Sequence, residues 1–83
     1  MMQTNKTLTT NGGNTDIYIK DEGDFCTVIF QTQKARAEAV KSSKIQTRLY
    51  GKEIFKMDIL LDGIAVIKNW ANEFGLMVES DID

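Results

Sequence analysis

The stretch that decides the fold is residues 57–80, MDILLDGIAVIKNWANEFGLMVES. Its apolar residues recur at steps of four, three, four and three, which is the spacing of one face of an α-helix. This apolar stripe consists of Leu60, Ile64, Ile67, Ala71 and Phe74, and is widened on one side by Val66 and Trp70. We expect an amphipathic helix that buries the stripe, including Ile64 and Phe74, against a sheet.

The residues at the two ends of this stretch predict where the helix begins and ends. Asp58 is placed to cap the N-terminus, and Asp62 puts a negative charge near the positive end of the helix dipole. Gly75 follows the last apolar residue, at a position where helices often end in a left-handed residue. Residues 76–78, Leu-Met-Val, then predict a short strand.

Two strands joined by an acidic turn are predicted at the start of the folded region. Residues 16–20 alternate, with isoleucines on one face and Tyr18 on the other, which is typical of a half-buried strand. Residues 21–24, Asp-Glu-Gly-Asp, have the composition of a tight turn. Residues 25–32 predict a second and more central strand, because apolar side chains fall on both of its faces. The two strands are expected to form a hairpin.

A second helix and a third strand complete the predicted order. Residues 33–43 are rich in alanine and charged residues, which favours a helix, and Thr32 is placed to cap it. Residues 44–50 are expected to form an irregular connection, and residues 53–58 a strand. The order strand, strand, helix, strand, helix, strand predicts an α+β fold, a small two-layer sandwich with the helices on one face of the sheet.

Length and composition indicate one small domain. We expect a flexible N-terminal tail over residues 1–15, rich in Thr, Asn and Gly, followed by a single α+β domain over residues 16–83. The tail lacks the apolar run of a signal peptide, and no window approaches the length of a membrane span. Cys26 is the only cysteine, so no internal disulfide can form, and we expect a cytoplasmic protein.

The residue types needed for common catalytic chemistry are sparse. The sequence has no histidine, which removes the usual general base and the commonest metal ligand. Cys26 therefore has no histidine to activate it, and its position within a strand indicates a small buried hydrophobic residue. The acidic turn at residues 21–24 is too short for a calcium loop. We predict no enzymatic activity, no cofactor and no metal, and rank a carboxylate-pair enzyme below the binding functions.

The charge distribution is the most informative feature for function. Residues 34–56 hold seven basic and two acidic residues, a net charge of +5 within a chain whose net charge is −2. Such a segment suits weak phosphate contact with nucleic acid, with Tyr50 available to stack on bases, or the steering of an acidic protein. It also suits an ordinary solvated helix face. Trp70 belongs either to the core or, if partly exposed, to a protein interface. The predicted binding residues are Arg36, Lys41, Lys44, Arg48, Tyr50, Lys52 and Trp70.

Several short motifs resemble those of small proteins encoded by phages and mobile elements. The motifs are Ile19-Lys20-Asp21-Glu22-Gly23-Asp24, a strand with Val28, Leu49-Tyr50-Gly51, and the helix and strand from Ile67 to Val78. Proteins of this type open with an acidic Glu-Gly hairpin and end on a helix followed by Gly-Leu and a strand. The resemblance implies the fold, and a mobile-element origin would suit a small inhibitor or accessory factor, including the anti-CRISPR or anti-restriction type. It assigns no activity to any residue.

The sequence thus predicts a small non-enzymatic domain that binds another protein, with an acidic partner as one option. The alternative is a weak nucleic-acid-binding protein that uses residues 34–56. A monomer and a homodimer are both compatible with this prediction.

Overall fold

The computed structural model describes residues 15–82, which form a four-stranded sheet and three helices. Their order is β1 (Ile17–Asp21), β2 (Cys26–Phe30), α1 (Gln33–Lys41), α2 (Ser43–Gln46), β3 (Lys56–Ile59), a 3-10 turn (Leu61–Gly63), α3 (Ile64–Glu73) and β4 (Val78–Ser80). The α+β class is confirmed. The predicted tail lies outside the described residues except for Thr15, whose carbonyl and hydroxyl oxygens accept hydrogen bonds from the Gln31 side chain.

The sheet is mixed and has the strand order β3-β2-β1-β4. β1 and β2 form the predicted antiparallel hairpin, and β3 adds to β2 in the antiparallel direction. β4 lies parallel to β1, with Val78 beside Ile17. The hairpin turn contains Gly23 at a φ of +100°, and the Asp21 carboxylate accepts a hydrogen bond from the Gly23 N–H at 2.8 Å.

The strand register places the apolar side chains on one face of the sheet, which the helices cover. Ile17 lies opposite Phe30, Ile19 opposite Val28, and Val28 opposite Met57, and these side chains are almost completely buried. The core cluster also includes Cys26, Ala35, Ala39, Ile45, Ile59, Ile64, Ile67, Ala71 and Leu76. Cys26 is buried, as its position in the strand predicted.

Tyr18, on the opposite face of the sheet, is more buried than the sequence predicted. It is only 6% exposed, so β1 is covered on both faces over its first three residues rather than half-buried. The Tyr18 hydroxyl donates a hydrogen bond to the Asp81 carboxylate, which also accepts one from the Asp21 N–H at 3.1 Å. This hydrogen bond, with burial, raises the pKa of Tyr18 to about 12. The segment after β4 is thereby attached to β1.

The predicted amphipathic helix, α3 in the structure, is shorter than its apolar stripe from Leu60 to Phe74 indicated. Asp58 lies in β3 instead of capping the helix, and accepts a hydrogen bond from the Thr27 hydroxyl at 3.2 Å. The predicted burial of Leu60 and Phe74 is wrong, because these side chains are 65% and 43% exposed. The reason is that α3 begins only at Ile64 and ends at Glu73, so both residues lie beyond its ends.

The C-terminal end of α3 follows the predicted type of ending, with a shift in the next strand. Gly75 adopts a left-handed φ of +69°, as predicted. The turn that it makes buries Leu76, and β4 begins at Val78 instead of at residue 76.

Three further local predictions have mixed outcomes. Thr32 caps α1 as expected, since its hydroxyl oxygen accepts a hydrogen bond from the Ala35 N–H at 3.1 Å. The connection predicted to be irregular contains the short helix α2, capped by Ser42. β3 begins at Lys56, three residues later than predicted, because Phe55 adopts a left-handed φ of +52°.

Across residues 15–82, every helix falls short of the length and apolarity needed to span a bilayer.

Candidate functional site

An apolar cleft of about 400 Å³ opens between α2 and the N-terminal part of α3. Its floor consists of Met57 and Ile59 from β3 and Ile67 from α3. These three side chains are at most 8% exposed, because they also belong to the core. We call this feature the α2–α3 cleft. Its floor is part of the folded core, so it is a fixed apolar surface.

The α2 wall of the cleft combines a buried isoleucine with two exposed basic side chains. Ile45 is 3% exposed and ties α2 to the core. The Ser42 side chain accepts a hydrogen bond from the Ile45 N–H at 3.4 Å and so fixes the start of the short helix. Lys44 and Arg48 line the cleft and are exposed. Neither forms a salt bridge with any residue in the described range 15–82.

The opposite wall is mainly apolar and comes from the chain around the start of α3. Leu60 is 65% exposed and Val66 is 53% exposed, and both line the cleft together with Asp62. Gly63 allows this wall to lie close to β3, because a Cβ atom there would be 3.3 Å from the Ile59 Cβ. The walls therefore carry two positive charges on the α2 side and one negative charge on the α3 side.

Trp70 connects this wall with the core. Its ring meets the buried Phe30 ring edge-on, with centroids 6.1 Å apart and an interplanar angle of 87°. The Phe74 ring also lies close to the Trp70 ring, with centroids 5.4 Å apart and an interplanar angle of 55°. Trp70 is half-buried and lines the α2–α3 cleft. Trp70 therefore packs partly against the core and partly lines the cleft, and its predicted role in a protein interface stays a prediction.

Two of the other predicted binding residues are engaged in contacts within the domain. The Arg36 Nε atom donates a hydrogen bond to the Phe30 carbonyl at 2.9 Å, and its guanidinium lies 5.2 Å from the Phe55 ring centroid. Lys41 lies 3.8 Å from the Glu38 carboxylate. Arg36 thus holds α1 against the sheet and the left-handed turn that precedes β3.

Tyr50 and Lys52 are exposed, and neither lines the α2–α3 cleft. The Tyr50 hydroxyl forms a hydrogen bond with the Asp58 carboxylate, which raises the pKa of Tyr50. Of the seven predicted binding residues, the structure gathers Lys44, Arg48 and Trp70 around one cleft. The sequence did not show that Ile45 and an exposed Leu60 share one cleft, because this depends on α2 lying next to α3.

The lining of the α2–α3 cleft contains few groups that could act as an acid, a base or a nucleophile. Asp62 is the only carboxylate and Ser42 the only hydroxyl in its lining. Elsewhere, burial raises the pKa of the Cys26 thiol and so disfavours the reactive thiolate. Within residues 15–82, no three His, Cys, Asp or Glu side chains are grouped so that they could hold a metal ion.

Comparison with protein-family models, with curated proteins and with solved structures found no match to this chain.

Proposed function

We propose that this protein is a small non-enzymatic domain that binds another protein through the α2–α3 cleft. The observation that carries this proposal is the grouping of exposed apolar side chains with a half-buried tryptophan over an apolar floor. Leu60 and Val66 are both more than half exposed and flank the same cleft as Trp70. Tryptophan is enriched among the residues that dominate binding energies at protein interfaces, and contiguous exposed apolar surface typically marks such interfaces.

An accessory or inhibitor-like role that acts by occupying a partner's surface suits this arrangement. Such a role needs a rigid apolar contact and no reacting group, and a floor formed by core residues supplies rigidity. The resemblance to small phage and mobile-element proteins favours the same role, including the anti-CRISPR or anti-restriction type. The single cysteine, which is buried, favours a reducing compartment and therefore the cytoplasm.

Weak nucleic-acid binding is the second candidate, because Lys44 and Arg48 line the same cleft as the aromatic side chain of Trp70. Several observations make it the less favoured function. Arg36 and Lys41 interact with Phe30 and Glu38, so these two basic residues are already engaged within the domain. Phosphate binding gains from several cations in a continuous track, whereas this cleft offers two and also contains Asp62. The apolar floor has no role in phosphate contact.

Site-specific photo-crosslinking tests the proposed function. A benzoylphenylalanine at position 66 faces the cleft, and the same residue at position 54 is a matched control, because Ile54 is 49% exposed but does not line the cleft. In the native host, we expect position 66 to give a discrete crosslinked protein that position 54 does not give. The variant Leu60→Glu should abolish this product, because a carboxylate would then lie at the apolar mouth. A crosslinked nucleic acid, or equal products at both positions, would refute the proposal.

A further inference from the structure

We infer that the occupant of the α2–α3 cleft is an amphipathic helix whose apolar face is flanked on one side by carboxylates. This inference rests on the proposed function and specifies the chemistry of the partner. Three properties of the cleft lead to it: its size and lining, the position of its charges, and the direction of its apolar wall.

The size and lining of the cleft require an apolar anchor from the partner. An apolar cavity of roughly 150 Å³ is sufficient to hold benzene. The α2–α3 cleft, at about 400 Å³, therefore has room for one or two large apolar side chains. Its floor of Met57, Ile59 and Ile67 offers such a side chain no hydrogen bond. A polar anchor would lose its water without gaining a partner.

The charges of the cleft define what flanks the anchor. Lys44 and Arg48 lie on the α2 side and form no salt bridge among the described residues, so their charges are available to a ligand. Asp62 lies on the α3 side. A bound segment therefore meets positive charge on one side and negative charge on the other. Carboxylates on the side that faces α2 are favoured, and they would be repelled on the side of Asp62.

The direction of the apolar wall favours a helical ligand. Val66 and Trp70 are four residues apart on α3, so they lie one turn apart on one side of this helix. A helix lying along the cleft places its own apolar residues at the same spacing of three and four and packs them beside the ridge that Val66 and Trp70 form. The cleft is thus a short version of the groove in which amphipathic helices bind.

Three synthetic peptides test this inference directly. The first is a capped, tryptophan-free amphipathic helix with leucines at spacings of three and four, and with glutamates along one flank of the leucine face. In the second, lysine replaces each glutamate, and in the third, serine replaces each leucine. Trp70 is the only tryptophan of the protein and lines the cleft, so its fluorescence reports binding at this site.

We expect the glutamate peptide to bind roughly tenfold more tightly than the lysine peptide, and the serine peptide to show no saturable binding. The double variant Lys44→Glu/Arg48→Glu should reverse the preference between the two charged peptides. The control variant Lys41→Glu/Lys52→Glu makes the same change in net charge outside the cleft and should retain the original preference. Circular dichroism of each variant establishes that it is folded.

Equal binding of the glutamate and lysine peptides, or binding of neither, would overturn the inference. Sedimentation of the protein as a dimer that Val66→Glu converts to a monomer would also overturn it, because a second copy would then occupy the cleft. These outcomes are distinguishable from failure of the proposed function. If position 66 still crosslinks a protein partner while the peptides show no preference, the cleft is a protein-binding site for a ligand of different chemistry.

Discussion

Truncating Phe74 provides the sharpest test of how α3 lies on the sheet. The apolar pattern of the sequence places Phe74 in the buried stripe, and full burial would make Phe74→Ala cost about 3–5 kcal/mol. The structure places this side chain beyond the end of α3 at 43% exposure, in contact with Trp70. The two arrangements therefore predict different losses of stability from one substitution.

The expected loss follows from the buried fraction of the side chain. Complete burial of a phenylalanine contributes about 1.5–3 kcal/mol. A side chain that remains 43% exposed loses a little over half of its contact with water, so Phe74→Ala should cost about 1–1.5 kcal/mol. No enclosed cavity forms at such a position, so no large cavity penalty is added. Ile67, at 4% exposure, should by contrast cost about 3 kcal/mol when changed to alanine.

Urea denaturation followed by far-UV circular dichroism measures these losses. Tryptophan fluorescence is unsuitable here because Phe74 lies against Trp70. Val66→Ala is the matched control, because Val66 precedes Ile67 on the same helix but is 53% exposed. This variant should change the free energy of unfolding by less than about 0.5 kcal/mol. A Phe74→Ala loss equal to that of Ile67→Ala would refute the arrangement of α3 described above.

Three further predictions concern single hydrogen bonds and one backbone conformation. The hydrogen bond from Tyr18 lowers the pKa of Asp81, so this bond stabilises the fold above the ordinary carboxyl pKa, and its contribution is lost as the pH falls below about 4. Stability should fall again between pH 10 and pH 12, because Tyr18 ionises first in the unfolded chain and its pKa in the folded protein is raised to about 12. Urea midpoints across pH measure both effects, and Tyr18→Phe should flatten both limbs; unchanged limbs would contradict the assignment. Thr32→Ala should lower the free energy of unfolding by about 1–2 kcal/mol in chemical denaturation, because it removes the helix cap. The control Thr47→Ala loses only a hydrogen bond to the Lys44 carbonyl and should lower it by less. Equal losses would contradict the capping role of Thr32. Gly75→Ala should cost about 1–2 kcal/mol because of its left-handed φ, and an unchanged thermal midpoint would show that the chain turns differently there.

The sequence was sufficient for the parts of the fold that depend on local periodicity. Ile64, Ile67 and Ala71 repeat at helical spacing and are buried, and the acidic hairpin turn forms where its composition predicted. The pattern failed at the N-terminal end of α3, where the strand period and the helix period overlap. Met57 and Ile59 are buried by the alternation of β3, although the same region also fits an extension of the helical stripe. Tertiary contacts decide between two periods that a local pattern cannot separate.

The α2–α3 cleft was only partly predictable for a related reason. Lys44, Arg48 and Trp70 each stood out in the sequence, by charge or by residue type. Lys44 and Trp70 are far apart in the sequence. They lie near each other only because α2 and the start of α3 pack side by side around one cleft. The sequence also grouped Arg36 with the exposed bases, because nothing in a charge pattern shows that its side chain bonds to the Phe30 carbonyl.

The parallel pairing of β4 with β1 has a consequence for synthesis of the protein. The Asp16 side chain accepts a hydrogen bond from the Met77 N–H, 61 positions away, and Val78 lies beside Ile17 in the sheet. A nascent chain can therefore form the hairpin early, but β1 keeps an open edge until the final strand has been made. Translation at about 5–20 residues per second leaves that edge unpaired for several seconds. During this interval the free edge of β1 can pair with other chains, so β4 protects β1 from edge-to-edge association once it has paired.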